Sequence, residues 1–145
     1  MDVNIEKFPL ILREKLKSGD VILPPHIETE YSPIKVYRRV LREGDDMHAI
    51  DRADLMSYAE LGKRPPRNLE GGVKNPDYYS TSFYSSFEAL KNHFEFPHPK
   101  NKVAVGKAYC EGGPCLRNEL TEHVSWWMYE NVDISDFELL EGNNE

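Results

Sequence analysis

The stretch from Ile34 to Leu41, IKVYRRVL, decides how the chain is read. Side chains alternate between the two faces of a strand, so Ile34, Val36, Arg38 and Val40 share one face and Lys35, Tyr37, Arg39 and Leu41 the other. The first set is aliphatic apart from its arginine, which predicts a half-buried strand with Arg38 among apolar neighbours. A buried guanidinium needs anionic or carbonyl partners, because removing the partner costs roughly 3–5 kcal/mol. One reading places Arg38 at a cleft wall, gripping a phosphate or carboxylate of a ligand. The other makes Tyr37 and Leu41 the core face and leaves Arg38 in solvent.

Working outward, Phe8 to Lys17 carries Leu10, Ile11 and Leu16 among charges and stops at Gly19, which predicts a short amphipathic helix. Pro24-Pro25 halts whatever Val21 to Leu23 begins. After the strand, Asp51 is placed to cap a helix running through Leu61, with Leu55, Met56 and Ala59 inward and Gly62 as its stop. The segment Lys63 to Asp77, rich in Pro, Gly, Asn and charge, has the length of a lid or binding loop. Tyr78 to Phe83, YYSTSF, reads as a strand. Ser85 and Glu88 form a capping-box pattern that opens a helix over Ser86 to Phe94, closed by Pro97 and Pro99. Three further strands are expected at Val103 to Cys110, His123 to Tyr129 and Phe137 to Leu140, with the turn EGGPC between the first two. Helices and strands are segregated, which favours an α+β fold.

The chain has 145 residues, enough for one domain with its own core, and only two cysteines, too few for a disulfide scaffold. No apolar run is long enough to span a bilayer and no export signal is legible, so no membrane association and a cytoplasmic location are expected. A net charge of −7 makes nucleic acid an unlikely partner, since phosphate neutralisation needs a basic face; Lys63, Arg64 and Arg67 form only a small cationic patch. An 11% aromatic content separates the sequence from low-complexity chains.

Three segments could carry chemistry. The first is the strand with Arg38. The second is Ser80-Thr81-Ser82, hydroxyls on a strand that leads into a helix, flanked by Tyr78, Tyr79 and Phe83; these are either ligand contacts or a wet strand face. The third is ELTEHVSWWMYE, residues 119–130, where acids, His123, Trp126 and Trp127 lie close together. An aromatic face beside an ionisable group suits a planar heterocycle, although tryptophans also serve as core. No metal is expected: Cys110 and Cys115 lack a second pair, and His93 and His98 are only two ligands. Gly71-Gly72 has no following lysine, so it is not a phosphate-binding loop.

The order of these pieces, Tyr37-Arg38, then Ser80-Thr81-Ser82, then an acid-containing strand, resembles the ADP-ribosyltransferase-like fold of small bacterial toxins and effectors, in its arginine-serine-glutamate class. Short members with a histidine just before a double tryptophan look closest, here His123, Trp126 and Trp127. The resemblance spans Ile34 to Glu141. It implies a split β-sandwich with short flanking helices over residues 31–142, an N-terminal helical extension over 1–30 and a tail at 143–145. NAD would sit as substrate in the cleft. Arg38, beside Tyr37, would contact its phosphate or ribose; Ser80 would be the first serine, with Thr81 and Ser82 supporting; Phe83 or Tyr84 would stack on nicotinamide, with Trp126 a further cofactor contact. The family's Glu-any-Glu or Gln-any-Glu motif is absent, so Glu122 is taken as the catalytic acid, His123 as a substitute polar group, and Glu119 or Glu130 as reserves.

The implied activity is NAD-dependent ADP-ribosyl transfer to a protein or small molecule, or NAD hydrolysis, in a bacterial toxin or effector. The rival is a non-catalytic acidic interaction or immunity protein with a degenerate nucleotide cleft.

Overall fold

The structure is a computed structural model that describes residues 3–140. It contains six strands, β1 (Ile34–Leu41), β2 (Thr81–Tyr84), β3 (Asn101–Ala108), β4 (Cys115–Asn118), β5 (His123–Trp126) and β6 (Glu138–Leu140), and two α-helices, α1 (Leu10–Ser18) and α2 (Phe87–Lys91). The strands form one six-stranded sheet in the order β4-β5-β2-β1-β3-β6, every neighbouring pair antiparallel. The mixed content, with few helices, is the α+β class expected. No helix of the described residues is long and apolar enough to cross a membrane.

β1 pairs with β3 over its whole length, from Ile34 opposite Ala108 to Leu41 opposite Asn101. Against β2 it is paired at a single position, Tyr37 opposite Tyr84. The sheet is therefore nearly parted along one seam, with β4-β5-β2 on one side and β1-β3-β6 on the other. From Arg38 onward β1 has no partner on the β2 side.

Both faces of the sheet are covered, which settles the alternation in β1. Val36 and Val40 are buried with Arg38 half-buried between them, and Leu41 is 58% exposed. Arg38 thus lies on the apolar face. Tyr37 is buried as well, because α2 and Phe96 cover the opposite face with Leu90, Phe87 and Val103. On the Val36 face the core gathers Phe83, Val124, Trp126, Phe137 and Leu55. The closest approach there is at Gly106, where a Cβ would lie 2.5 Å from the Phe137 ring.

α1 ends as its sequence dictates, with Gly19 in the left-handed region at φ +82°. Its inner residue is Leu12; Leu10 and Ile11 face outward. Residues expected as an N-terminal extension pack closely: Phe8, Leu12 and Val21 share a cluster with Ala59, Tyr78, Tyr79 and Trp127, and Glu28 exchanges two backbone hydrogen bonds with Cys115. The tail at 143–145 and the last residues of the expected domain, 141 and 142, lie outside the described residues.

Four expectations are corrected. The helix at 51–61 is a 3-10 turn over Arg52–Leu55, capped by Asp51 as predicted; beyond it Ser57 and Glu60 bond each other and nearby backbone, an alternative to helix that such side chains offer. The strand at 78–83 begins only at Thr81, because Asn75 and Pro76 wind Pro76–Tyr79 into a 3-10 turn. The second helix is five residues long and is capped by Ser86, not Ser85. The third-from-last strand was missed: Cys115–Asn118 forms β4, preceded by Gly113, whose φ of +133° and close approach to the backbone of Trp127 and Met128 set its course.

Candidate functional site

Where β1 and β2 part, a cavity of about 620 Å³ opens. That volume is within the usual range for small-molecule sites. β1 contributes Arg38 and Arg39, the 52–58 turn Asp54 and Tyr58, the 63–77 loop Lys63 and Asp77, and β2 with its lead-in Ser80, Thr81, Ser82 and Tyr84; His93 and His123 close the far side. The loop anticipated as a lid or binding element is thus one wall.

Arg38 spans the seam. Its Nε donates to the Asp54 carbonyl at 3.0 Å and its Nη1 to the Ser82 carbonyl at 2.8 Å, while the guanidinium lies 5.9 Å from the Phe83 ring centroid. Nη2 has no hydrogen-bond partner among the described residues. Burial, reinforced by the neighbouring charge of Arg39, pulls the group down to about 10, so it remains cationic at neutral pH. Arg38 is therefore both a tie between β1 and β2 and a donor toward the cavity.

Ser82 is exposed on the cavity face of β2, and its Oγ is in hydrogen-bond contact with His123 Nε2. The register explains this: Ser82 lies opposite Ser125 and Tyr84 opposite His123, so all four share one face. Tyr84 stacks on His93 at 4.8 Å and meets His123 edge-on at 5.2 Å. Burial depresses the His123 pKa; the charge of Asp77 acts the other way, and His93 lowers it further. The ring is thus held neutral, able to accept a proton from Ser82 or from a bound hydroxyl.

This has a consequence for stability. Above the ordinary histidine value of 6.5 the ring is neutral in both folded and unfolded chains. Below it the unfolded chain takes up a proton that the folded one resists, so stability is lost as pH falls through the depressed folded value. Urea unfolding should show a midpoint that drops between about pH 7 and about pH 5, and the drop should be smaller in His123→Gln. An unchanged pH slope in the variant would remove His123 as its source.

The acids of the cavity divide into one that is committed and one that is not. Burial alone would raise Asp54, but hydrogen bonds from Arg42 at 2.9 and 2.8 Å and from the Asp51 backbone N–H hold it below its usual range. Arg42 is itself 3% exposed. Asp77 has an exposed side chain whose carboxylate makes no hydrogen bond or ion pair among the described residues, yet its charge is felt by His123. The Asp77 carbonyl accepts from the Ser80 hydroxyl at 3.0 Å, so Ser80 lines the cavity with its proton already directed to the backbone.

Several expected site residues are placed elsewhere. Glu122 sits in the β4–β5 turn at φ +63°, and its carboxylate accepts from Ser86 Oγ at 2.6 Å, outside the cavity. Its position just before β5 points it along the sheet end toward α2. Phe83 and Trp126 are both fully buried, 5.9 Å apart in the core, because strand alternation sends them to the face opposite Ser82; neither can stack on a ligand. Tyr37 is 5% exposed beneath Phe87 and lies outside the lining. Thr81 reaches the cavity edge but donates to the Leu55 carbonyl at 2.6 Å. Glu119 and Glu130 are exposed and outside the cavity. Arg38, Ser80, Thr81, Ser82, Tyr84 and His123 are the expected residues brought together.

Asp77, Arg39, His93 and Tyr58 were missed. Asp77 directly precedes YYSTS, and that proximity was the available signal. Cys110 and Cys115 are free thiols, the latter pushed up to about 12 by burial and by Glu28. His98 Nδ1 accepts from the Lys100 and Asn101 backbones, while His93 Nδ1 faces the Ala89 carbonyl. His48, Asp51 and Asp54 bring ligand-type atoms within 4.8 Å of one another, but the Asp54 carboxylate is occupied by Arg42. No family model, curated protein or solved structure matches the chain.

Proposed function

We propose that the cavity binds NAD and that the protein transfers its ADP-ribosyl group to an acceptor or to water. The observation that carries this reading is the seam itself: a sheet joined at one residue pair, with an arginine, a serine and a histidine meeting in the gap. Arg38 and Lys63 line the cavity against one uncommitted carboxylate, a balance suited to an anionic ligand in a chain of net charge −7. Tyr58, partly exposed at the cavity wall, offers a ring for a base or nicotinamide.

In this reading Arg38 uses Nη2 on a phosphate oxygen, and the Ser82 hydroxyl, set by His123, orients the ribose. The bond between ribose C1′ and the nicotinamide nitrogen breaks, and its electron pair leaves with nicotinamide. Asp77 provides the negative charge opposite the oxocarbenium-like centre. Water or an acceptor hydroxyl then bonds to C1′ and gives its proton to neutral His123.

The test is nicotinamide release from NAD by the purified chain, with Arg38→Gln alongside. Glutamine can keep one hydrogen bond to the Ser82 carbonyl, which limits the structural loss. Release is expected from wild type and should fall by about 10²-fold or more in the variant, the scale of a lost preorganised donor. A folded wild-type chain that neither releases nicotinamide nor binds NAD by calorimetry ends this reading and leaves the acidic interaction protein.

A further inference from the structure

The cavity holds a second arginine for which the protein supplies no acceptor. Arg39 leaves β1 on the face opposite Arg38, the face that carries Ser82, Tyr84 and His123, and lines the cavity with them. Its guanidinium lies 4.4 Å over the Phe94 ring. Its Nε is shut away from solvent with no hydrogen-bond partner, and no carboxylate or carbonyl pairs with its terminal nitrogens among the described residues. Buried polar groups are seldom left this way, and this chain has 25 acidic residues from which to draw a partner. Of the two carboxylates that line the cavity, Asp54 is taken by Arg42 and Asp77 makes no ion pair with Arg39. With the guanidinium over the Phe94 ring and its Nε buried, the two terminal nitrogens are the groups left to meet an anion, and together they make a fork. Such a fork matches the oxygens of a phosphate. Arg38 and Lys63 line the same cavity, so its cationic side chains outnumber the one uncommitted carboxylate, Asp77.

We infer that Arg39 is a second phosphate-binding position of the cavity, so that the favoured ligand carries a phosphate beyond the one Arg38 takes. This rests on the nucleotide reading above. The two arginines occupy opposite faces of one strand, which fits phosphates set apart on a ligand better than two joined by one oxygen. The extra phosphate has two sources: the ribose of the same nucleotide, as in NADP, or a separate phosphorylated acceptor.

Calorimetry on the full chain separates them, using AMP, adenosine 2′,5′-bisphosphate, NAD and NADP, and inorganic phosphate added to NAD-loaded protein. If the phosphate belongs to the nucleotide, the bisphosphate should bind at least about tenfold more tightly than AMP, and NADP more tightly than NAD. If it belongs to an acceptor, NADP should gain nothing, and inorganic phosphate should bind the NAD-loaded protein. In either case Arg39→Gln should erase the gain while AMP affinity stays within about twofold, and Phe94→Leu, which removes the orienting ring, should reduce it.

Gains that survive in Arg39→Gln, or the absence of any gain in wild type, overturn the inference. Nicotinamide release that ignores Arg39, with no phosphate gain, leaves the proposed function standing and removes this position. An Arg39-dependent gain without nicotinamide release does the reverse.

Discussion

Asp77→Asn should lower nicotinamide release at least about a hundredfold while leaving KM for NAD within about twofold. The substitution keeps the shape of the side chain and removes its charge. Positive charge on the ribose develops only as nicotinamide departs, so a carboxylate facing it stabilises the transition state more than bound NAD. Among the acids lining the cavity, Asp54 is neutralised by Arg42, which leaves Asp77 to carry that charge. Glu122→Gln is the matching control and should react at the wild-type rate, since that carboxylate is engaged by Ser86. A second readout needs no turnover: the charge of Asp77 raises the His123 pKa, so Asp77→Asn should lower it further in an NMR titration. A variant that retains full activity would remove Asp77 from the chemistry, whatever the titration shows.

The largest effect on stability is expected from Gly113→Ala. A Cβ at that position would lie 2.0 Å from the Trp127 carbonyl oxygen and 3.2 Å from the Met128 Cα. Both are backbone atoms, so no side-chain rotation relieves the overlap. The Gly113 carbonyl also accepts from Tyr31 Oη at 2.7 Å and from Trp126 Nε1 at 3.1 Å, and the Trp127 N–H bonds Pro114 at 2.9 Å. Moving the segment would break those bonds and disturb the fully buried Trp126 and Trp127. A cost above about 4 kcal/mol is expected, a large share of the stability of an ordinary domain. Gly44→Ala isolates the backbone contribution: its φ is +55° with nothing within 4 Å of a Cβ, so about 1–2 kcal/mol should be lost there. Urea midpoints of the two variants measure the difference. Equal midpoints would mean that the 112–114 segment can slide away from Trp127.

Much of the fold was legible because local rules and burial agreed. β1 alternates as a strand buried on the Val36 face, and Gly19 stops α1. Elsewhere tertiary contacts prevailed over local signals. Asp51 to Leu61 has a helical start and stop, yet Arg42 draws the Asp54 carboxylate toward β1 and ends the element after one turn. β4 was hidden because CLRN has no alternation of its own; its partner β5 and the Glu28–Cys115 pairing form it.

The candidate site was half legible for a related reason. Ser82 and His123 are read from strand parity, whereas Arg38 lies on the opposite, Val36 face and enters the cavity through the seam. Arg39, on the parity opposite Arg38, counts as a solvent residue until its face proves to be the one that carries Ser82 and His123. Glu122 looked suitable by position, but a residue at φ +63° in a tight turn does not follow the strand's direction. Parity likewise could have excluded Phe83 and Trp126 as ligand contacts, since each neighbours a cavity residue and must face away from it.

The chain passes from one side of the seam to the other between β1 and β2, between β2 and β3, between β3 and β4, and again between β5 and β6. Neither side is a continuous length of polypeptide, so the two are braided rather than hinged. Cutting or truncating the chain at any one connection cannot release one side intact, and neither can be assembled before the other is largely synthesised. The lining of the gap is completed by His123 and Ser125 of β5, made well after β1 and β2, so a nascent chain that ends before β5 holds Arg38 without the histidine across the cavity.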